Sequence, residues 1–329
     1  CSINFDKFDF VIGTDINANL LSYFISNKYK IEFISDFKEL CHKESLDEIP
    51  DIEEIKMQME QKIMGKSSFI MCVSEGIIDY YKKIYPEYKN KFIYIPNTQS
   101  KNFHIKVKEP KKKIKCILIA NFFPKIKGIE YFIKAWEILH RKYKLHAQVD
   151  IYLSNLDKYN KEKLIKLCGK SLNTTLFLKK SISLNLFNKV IGKYDVGIIP
   201  YLSEVINYEF CSPNKFGQYL QNGLSVLSSN TTNLSNYIHR NEIGETYTQN
   251  NLQKATVEIF TFLTSKKIFQ YKINSYNFYK KKYNWENFEK KIIKKIQSSK
   301  LHVLIIHGIN FDQCSRDLLI PNIIENLTS

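Results

Sequence analysis

The chain contains no apolar run long enough to span a bilayer, which excludes a helical membrane span. It lacks any Cys-x-x-Cys spacing. Its seven cysteines (Cys1, Cys41, Cys72, Cys116, Cys168, Cys211 and Cys314) are odd in number and scattered. A disulfide framework or a zinc site is therefore not expected, and a reducing cytoplasm fits best. No basic-then-apolar signal segment opens the chain, which begins at Cys1 rather than Met, so a piece of a longer protein is expected. No short-period repeat occurs. No RNA- or DNA-binding motif interleaves with the lysines, so nucleic acid is not an expected partner.

Positive charge is abundant. Lys plus Arg is 49 against 33 Asp plus Glu, a formal balance of +16 over 329 residues. Lys, Ile, Asn and Tyr are all frequent, as an AT-rich genome alone would produce. The other reading is attraction to something anionic, a phosphorylated substrate or an acidic membrane surface. The length suggests about two domains.

Short apolar runs alternate with amphipathic ones. Residues 9–13, 31–35, 68–73 and 91–95 read as strands, and 114–120, 148–153, 174–178, 194–199 and 224–228 continue the series. Helical stretches lie between them. One at 52–64 opens with a capping-box spacing, Asp51 and Glu54, and another follows Ser74, a good N-cap. The helix over 128–143 carries Ile129, Phe132, Ile133, Trp136 and Leu139 on one stripe. Such alternation predicts α/β architecture with parallel sheets covered on both faces. The polar stretch 98–113 reads as a linker between two sheet domains. Residues 301–306 read as a further strand, followed by an apolar helix with Leu318, Leu319, Ile323, Ile324 and Leu327. This tail is expected to begin another α/β unit, or to be a permuted first strand and helix of the first domain.

Ligands of open parallel sheets gather at the carboxyl ends of strands. After 31–35 come Asp36, Lys38 and Glu39. After 114–120 come Asn121, Lys125, Lys127 and Gly128. After 194–199 come Pro200 and Tyr201, then a polar loop with Glu204 and Glu209. Two sheets with such ends predict a cleft between domains. The most informative stretch begins Ser212-Pro213-Asn214-Lys215 and ends at Gly223. Ser212 is an N-cap type, Pro213 suits the first helical position and Gly223 is a stop. Lys215 at a helix N-terminus opposes the dipole unless an anion completes the site. A solvated lysine in the first turn would look the same. Lys127 before the Trp136 helix repeats the arrangement, and two such places on one sheet suit a diphosphate.

These segments together resemble the GT-B glycosyltransferases of the retaining group called family 4, or glycosyl transferases group 1. The phrase ILIANFFPKIKGIEYFIKAWEIL at 117–139 is similar to that family's strand, Lys-Gly and helix. YDVGIIPY at 194–201 is similar to its strand ending in Pro, and SPNKFGQYLQNGLSVLSS at 212–229 to its Pro-x-Lys-x-x-Glu-Tyr segment. FISDFKELCHK, VSEGI and YIPN resemble first-domain motifs, and Trp285 the start of the closing helix that crosses back. The resemblance covers about 6–298. It implies two Rossmann-like domains: a partial, N-terminally truncated acceptor-side domain (1–97), the linker (98–113), a nucleotide-sugar domain (114–283) and the crossing helix (284–300).

The activity implied is transfer of a sugar from a nucleotide-sugar donor, with retention and without a metal, to a glycan or lipid-linked acceptor. No resident cofactor is implied. Asp36, Lys38 and Glu39 would line the catalytic wall. Asn121, Lys127, Gly128, Tyr201, Glu209, Ser212, Pro213, Asn214, Lys215 and Gln218 would hold the donor. A cytoplasmic enzyme, peripheral at the inner face of an anionic membrane, is the matching location. Three departures stand out: Asn121 replaces Arg, Gln218 replaces Glu, and Lys38 replaces His. The family's acidic pair eight residues apart is also absent. A degenerate non-catalytic binder and a nucleotide-sugar epimerase on the same fold therefore stay open.

Overall fold

A computed structural model describes residues 4–43, 50–102, 104–120, 128–153, 158–169, 173–178, 184–296 and 302–307. Two compact units result. The first comprises residues up to Ser100, the inserted segment Val205–Asn214, and the chain from Asn284 onward; the second comprises Lys101–Glu204 and Lys215–Tyr283. Each contains one parallel sheet.

The chain starts in the first unit with β1 (Phe10–Thr14), α1 (Ile16–Tyr29), β2 (Glu32–Phe37), a 3-10 turn (Cys41–Lys43), α2 (Pro50–Lys66), β3 (Phe69–Cys72), α3 (Glu75–Ile84) and β4 (Phe92–Tyr94). Capping chemistry sets the helix starts. The Asp15 carboxylate accepts from the Asn17 and Ala18 N–H groups (3.1 Å each), and Ser74 Oγ accepts from the Ile77 N–H (3.1 Å). The capping box expected from Asp51 and Glu54 is not formed. The helix begins at Pro50, so Asp51 lies inside the first turn, where it faces the positive dipole end instead of capping it. Helix α1 packs through a face of Ala18, Asn19, Ser22 and Ser26 and leaves Leu21 and Phe24 exposed. Small side chains bring its axis close to the sheet. Asn19 exploits that approach, donating from Nδ2 to the Asp36 carbonyl (3.1 Å) and accepting the Asp36 N–H at Oδ1 (3.3 Å).

The second unit follows with β5 (Ile114–Ala120), α4 (Ile129–Tyr143), β6 (Ala147–Leu153), α5 (Lys158–Cys168), β7 (Thr174–Leu178), α6 (Leu184–Ile191) and β8 (Val196–Ile199). The short helix α7 (Ile206–Phe210) lies in the segment that belongs to the first unit. The rest of the second sheet is built by α8 (Asn214–Gln221), β9 (Ser225–Ser229), α9 (Thr232–Arg240), β10 (Gly244–Tyr247), α10 (Leu252–Thr264) and α11 (Ile268–Lys281). Its strand order is β10-β9-β8-β5-β6-β7. The chain therefore starts in the middle at β5, builds outward through β7, returns to the other side of β5 at β8 and builds outward again. Cys116, Leu118 and Ala120 of β5 enter one core with Phe132, Ile133 and Trp136 of α4. Ile117 enters the opposite core with Phe216, Tyr219 and Leu220 of α8. A buried ion pair, Lys272 Nζ to Asp195 Oδ1 (2.7 Å), ties α11 to the start of β8, and Asp195 Oδ2 also accepts the Lys115 N–H (3.1 Å).

Finally α12 (Trp285–Lys295) and β11 (Val303–His307) return to the first unit. Trp285, Phe288 and Ile292 cover one face of its sheet against Phe10, Ile12, Ile34 and Met71. Helices α2 and α3 cover the other with Ile63, Met64, Ile77 and Tyr81. Strand β11 pairs parallel with β1, Val303 opposite Phe10 through His307 opposite Thr14, in the order β11-β1-β2-β3-β4. The separate sheet expected to begin at this strand is thus replaced by an extension of the first. The physical reason is complementarity on both faces: Leu304 and Ile306 join the α2/α3 side, Val303 and Ile305 the α12 side. The apolar stretch after it lies outside the described residues.

Because β1 depends on this partner, Leu304→Asp/Ile305→Asp should speed amide hydrogen exchange across Phe10–Thr14 and cost the first unit about 1–3 kcal/mol, leaving the β5–β9 amides unchanged. Unaltered exchange in β1 would mean that the strand edge is not used.

Candidate functional site

The second sheet has a topological switch between β5 and β8, because the chain leaves these neighbours in opposite directions. Right-handed crossovers then put α4 and α8 on opposite faces, and their N-termini flank the carboxyl ends of β5 and β8. This is where a parallel sheet opens a crevice for a ligand.

Gly128 precedes α4 there, in the left-handed region at φ +64°. A Cβ at that position would stand 1.8 Å from the Pro200 carbonyl oxygen at the end of β8. Only glycine lets the start of α4 lie on that loop. Asn121 and Lys127, expected just before it, lie outside the described residues, as does Lys125. The end of β8 and the loop after it are held from β9 and from the turn after β10. Ser229 Oγ donates to the Tyr201 carbonyl, Ser228 Oγ to that of Ile199 (3.1 Å), and Gln249 Oε1 accepts the Ser203 N–H (2.7 Å). Gln249 has no sequence signature that would single it out.

Helix α8 seats tightly on the switch. Gly197 of β8 makes room for the Tyr219 ring, which a Cβ would meet at 2.2 Å. Burial pushes the Tyr219 hydroxyl above its ordinary pKa. The helix starts at Asn214, so Ser212 and Pro213 precede it and Lys215 is its second residue. Lys215 is half-buried. Asn214, Lys215 and Gln218 share one side of the helix by their spacing. Gln218 is 7% exposed, and its Oε1 finds no hydrogen-bond partner among the described residues; nor does Asn214 Oδ1. Buried acceptors without donors cost free energy unless a ligand or water satisfies them.

In the first unit, β2 runs two residues further than its apolar pattern predicts. Asp36 is therefore inside the strand, its side chain fully buried and its backbone held by Asn19. Lys38 is half-buried and Glu39 exposed, just beyond the strand. Glu209 and Ser212 are carried on the inserted segment, so they share this unit with Asp36, Lys38 and Glu39. The Ser212 carbonyl accepts from Asn97 Nδ2 (2.9 Å). The structure thus divides the expected residues: Gly128, Tyr201, Lys215 and Gln218 stand on the second unit, and the remaining described ones on the first. Asn207, which sequence reasoning passes over, lies among the latter. Among the described residues, no group of three or more His, Cys, Asp and Glu side chains is placed to hold a metal.

No protein-family pattern matches the chain, and no curated protein matches it in sequence. The likeness is structural. A sucrose-phosphate synthase from Thermosynechococcus elongatus superposes with a TM-score of 0.69 at 12% identity, covering 88% of this chain and 73% of that one. WaaG, a glycosyltransferase involved in lipopolysaccharide biosynthesis, gives 0.61 at 13% identity, covering 86% and 84%. HepE of Anabaena in complex with UDP-glucose gives 0.67 at 9%, covering 88% and 79%. The chain therefore has the GT-B fold seen in these glycosyltransferases, with two parallel-sheet α/β units.

The Gly128 geometry has a direct consequence. Gly128→Ala forces a side chain into the left-handed region and onto the Pro200 carbonyl, and should cost at least about 2 kcal/mol. Thermal unfolding checks this; a variant as stable as the wild type would show that α4 does not approach β8 as described.

Proposed function

We propose that this chain is a glycosyltransferase that moves a hexose-type sugar from a nucleotide-sugar donor to a glycan or lipid-linked acceptor, with retention and without a metal. One observation carries the reading: the N-terminal turns of α8 bring Lys215 and the buried Gln218 acceptor, which has no partner among the described residues, to the switch point of the second sheet. A nucleoside diphosphate presents complementary chemistry. Its phosphates suit a lysine and a helix N-terminus, and its ribose hydroxyls are donors for an orphaned amide oxygen. As the glycosidic bond breaks, negative charge builds on the departing diphosphate, and cations aimed there stabilise it. Lys127 is assigned to the same diphosphate. Lys38 and Glu39, from the loop beyond the strand, are assigned to the sugar and acceptor; Asp36, expected with them, is fully buried within the strand and is assigned instead to holding that loop's start. Structural neighbours that bind UDP and UDP-glucose support the donor class, and the lipopolysaccharide role of WaaG supports a lipid-linked acceptor.

Calorimetry with UDP tests the donor site. Lys215→Ala should weaken binding by about 1.5–3 kcal/mol, the range for a charged hydrogen bond. Gln218→Glu should preserve or tighten UDP binding while leaving a 2′,3′-dideoxy analogue unaffected. Equal affinity for wild type and Lys215→Ala, or equal effects of Gln218→Glu on both ligands, would remove these assignments. UDP binding without turnover of any nucleotide-sugar would favour the degenerate binder, for which the amide at Gln218 speaks.

No helix among the described residues is long and apolar enough to cross a membrane. With a net charge of +16, peripheral attachment to anionic lipid through the first unit is proposed for access to a lipid-linked acceptor. Flotation with phosphatidylserine-containing vesicles should show binding at low salt and release at high salt. Absence of binding at low salt would discard it.

A further inference from the structure

Glu39 is held from several directions inside the first unit. Asn207 Nδ2 donates to Glu39 Oε2 (3.1 Å), and Asn207 Oδ1 accepts the N–H of the next residue, Leu40 (2.9 Å). Tyr81 donates its hydroxyl to Glu60 Oε1 (2.8 Å), and the same hydroxyl lies 3.3 Å from the Glu39 carbonyl oxygen. Glu60 is fully buried. It also accepts from the Tyr85 hydroxyl (3.0 Å), and its Oε2 lies 2.7 Å from His42 Nδ1, on the 3-10 turn that ends the same loop. An exposed glutamate ordinarily keeps its rotamer freedom. Here a loop carrying one is anchored beneath by a buried carboxylate with three partners and clipped at the side by a buried amide.

Asn207 is itself immobilised. It is 1% exposed. Its segment is moored by Ser74 Oγ donating to the Phe210 carbonyl (2.5 Å) and Asn97 Nδ2 donating to that of Ser212 (2.9 Å), and the Phe210 ring lies 5.8 Å from that of Tyr80. Val205–Asn214 follows β8 and leads directly into α8, the donor helix, yet it belongs to the first unit. The Asn207 amide thus links this segment to the loop after β2, donating to the carboxylate of the candidate catalytic wall and accepting from the backbone beside it.

We infer that Asn207 is a positioning residue, which holds the Glu39 carboxylate in the orientation used to accept a hydrogen bond from a sugar hydroxyl. The inference rests on the sugar-transfer reading above.

The test follows UDP or GDP release from a panel of UDP- and GDP-hexoses, with thermal unfolding of every variant. Asn207→Leu should lower kcat at least about ten-fold with KM nearly unchanged, since small misplacements at a reacting centre are costly. Asn207→Asp sets two carboxylates side by side. They must share a proton, so its kcat should fall as pH rises through their joint titration, where the wild type stays level. The swap Asn207→Asp/Glu39→Gln re-forms the amide–carboxylate contact in reverse and still offers an acceptor to the Leu40 N–H. It should recover the unfolding temperature to within about 2 °C but not the kcat. Full activity in Asn207→Leu, or recovery of kcat by the swap, would overturn the inference. A wild type that binds UDP but turns over none of the panel overturns the transfer reading instead.

Discussion

The order of strands in the second sheet is the constraint from which most of this molecule follows. A chain that begins a parallel sheet at its centre must send its crossovers in opposite directions, and each obeys the same handedness. Strand β5 is then covered on both faces, which is why ILIA is apolar at every position while single-faced strands alternate. The same reversal parts α4 from α8 and leaves two helix N-termini at neighbouring strand ends. What distinguishes the sheet end proposed for the donor is local refinement of that arrangement. Gly128 lets α4 meet the Pro200 carbonyl, and Gly197 lets Tyr219 seat α8. Asp195 fixes the opposite ends of β5, β8 and β9 through Lys115 and Ser225, with Lys272 neutralising its charge.

The first unit is organised by a different principle. Its strands proceed in one direction from β1 to β4, so α1, α2 and α3 share one face and the other must be covered from elsewhere in sequence. Helix α12 supplies that cover, and β11 supplies the edge partner of β1. Where the core is apolar this is ordinary packing. One exception among the described residues is the Glu60, His42, Tyr81 and Tyr85 group beneath the loop after β2. Burying such groups is costly unless each is satisfied, and here Glu60 draws on three. Burial also raises the pKa of Tyr81, keeping its hydroxyl a donor. A polar core of this kind contributes directionality that methyl groups cannot, and it lies under the residues on which a candidate chemical role depends.

What could be read from sequence divides along the same physical line. Strands such as 114–120 and 174–178 were legible to the residue, because periodicity and burial are local properties. The Ser74 cap and the helix at Asn214 were legible for the same reason. Strand β10 escaped because GETY is short, polar and at an edge, where neither alternation nor an apolar run develops. The helix α7 escaped because five residues carry no period. The greater loss was non-local. Nothing in VINYEF announces that Asn207 meets Glu39 across a separation of 168 residues, or that a loop between two elements of one sheet is moored on another unit. Lys215 and Gln218, proposed for the donor, were recognisable since motif and helix position coincide; Asn207, inferred to position Glu39, has no motif.

The amide at Gln218 also becomes intelligible in this setting. A carboxylate at a 7% exposed position would carry a desolvation cost whenever no donor occupied the site. A glutamine keeps one acceptor oxygen without that charge, at the expense of a weaker bond to a hydroxyl. A chain with a net charge of +16 already favours an anionic ligand through its long-range field. Under the proposed donor reading, affinity for a diphosphate would then depend less on any single contact, and a ribose contact at Gln218 would serve chiefly to select. On the proposed reading, a neutral residue at Gln218 is the change such a field tolerates best, since it would weaken recognition of a neutral ribose and leave capture of a charged diphosphate to the cations proposed for it.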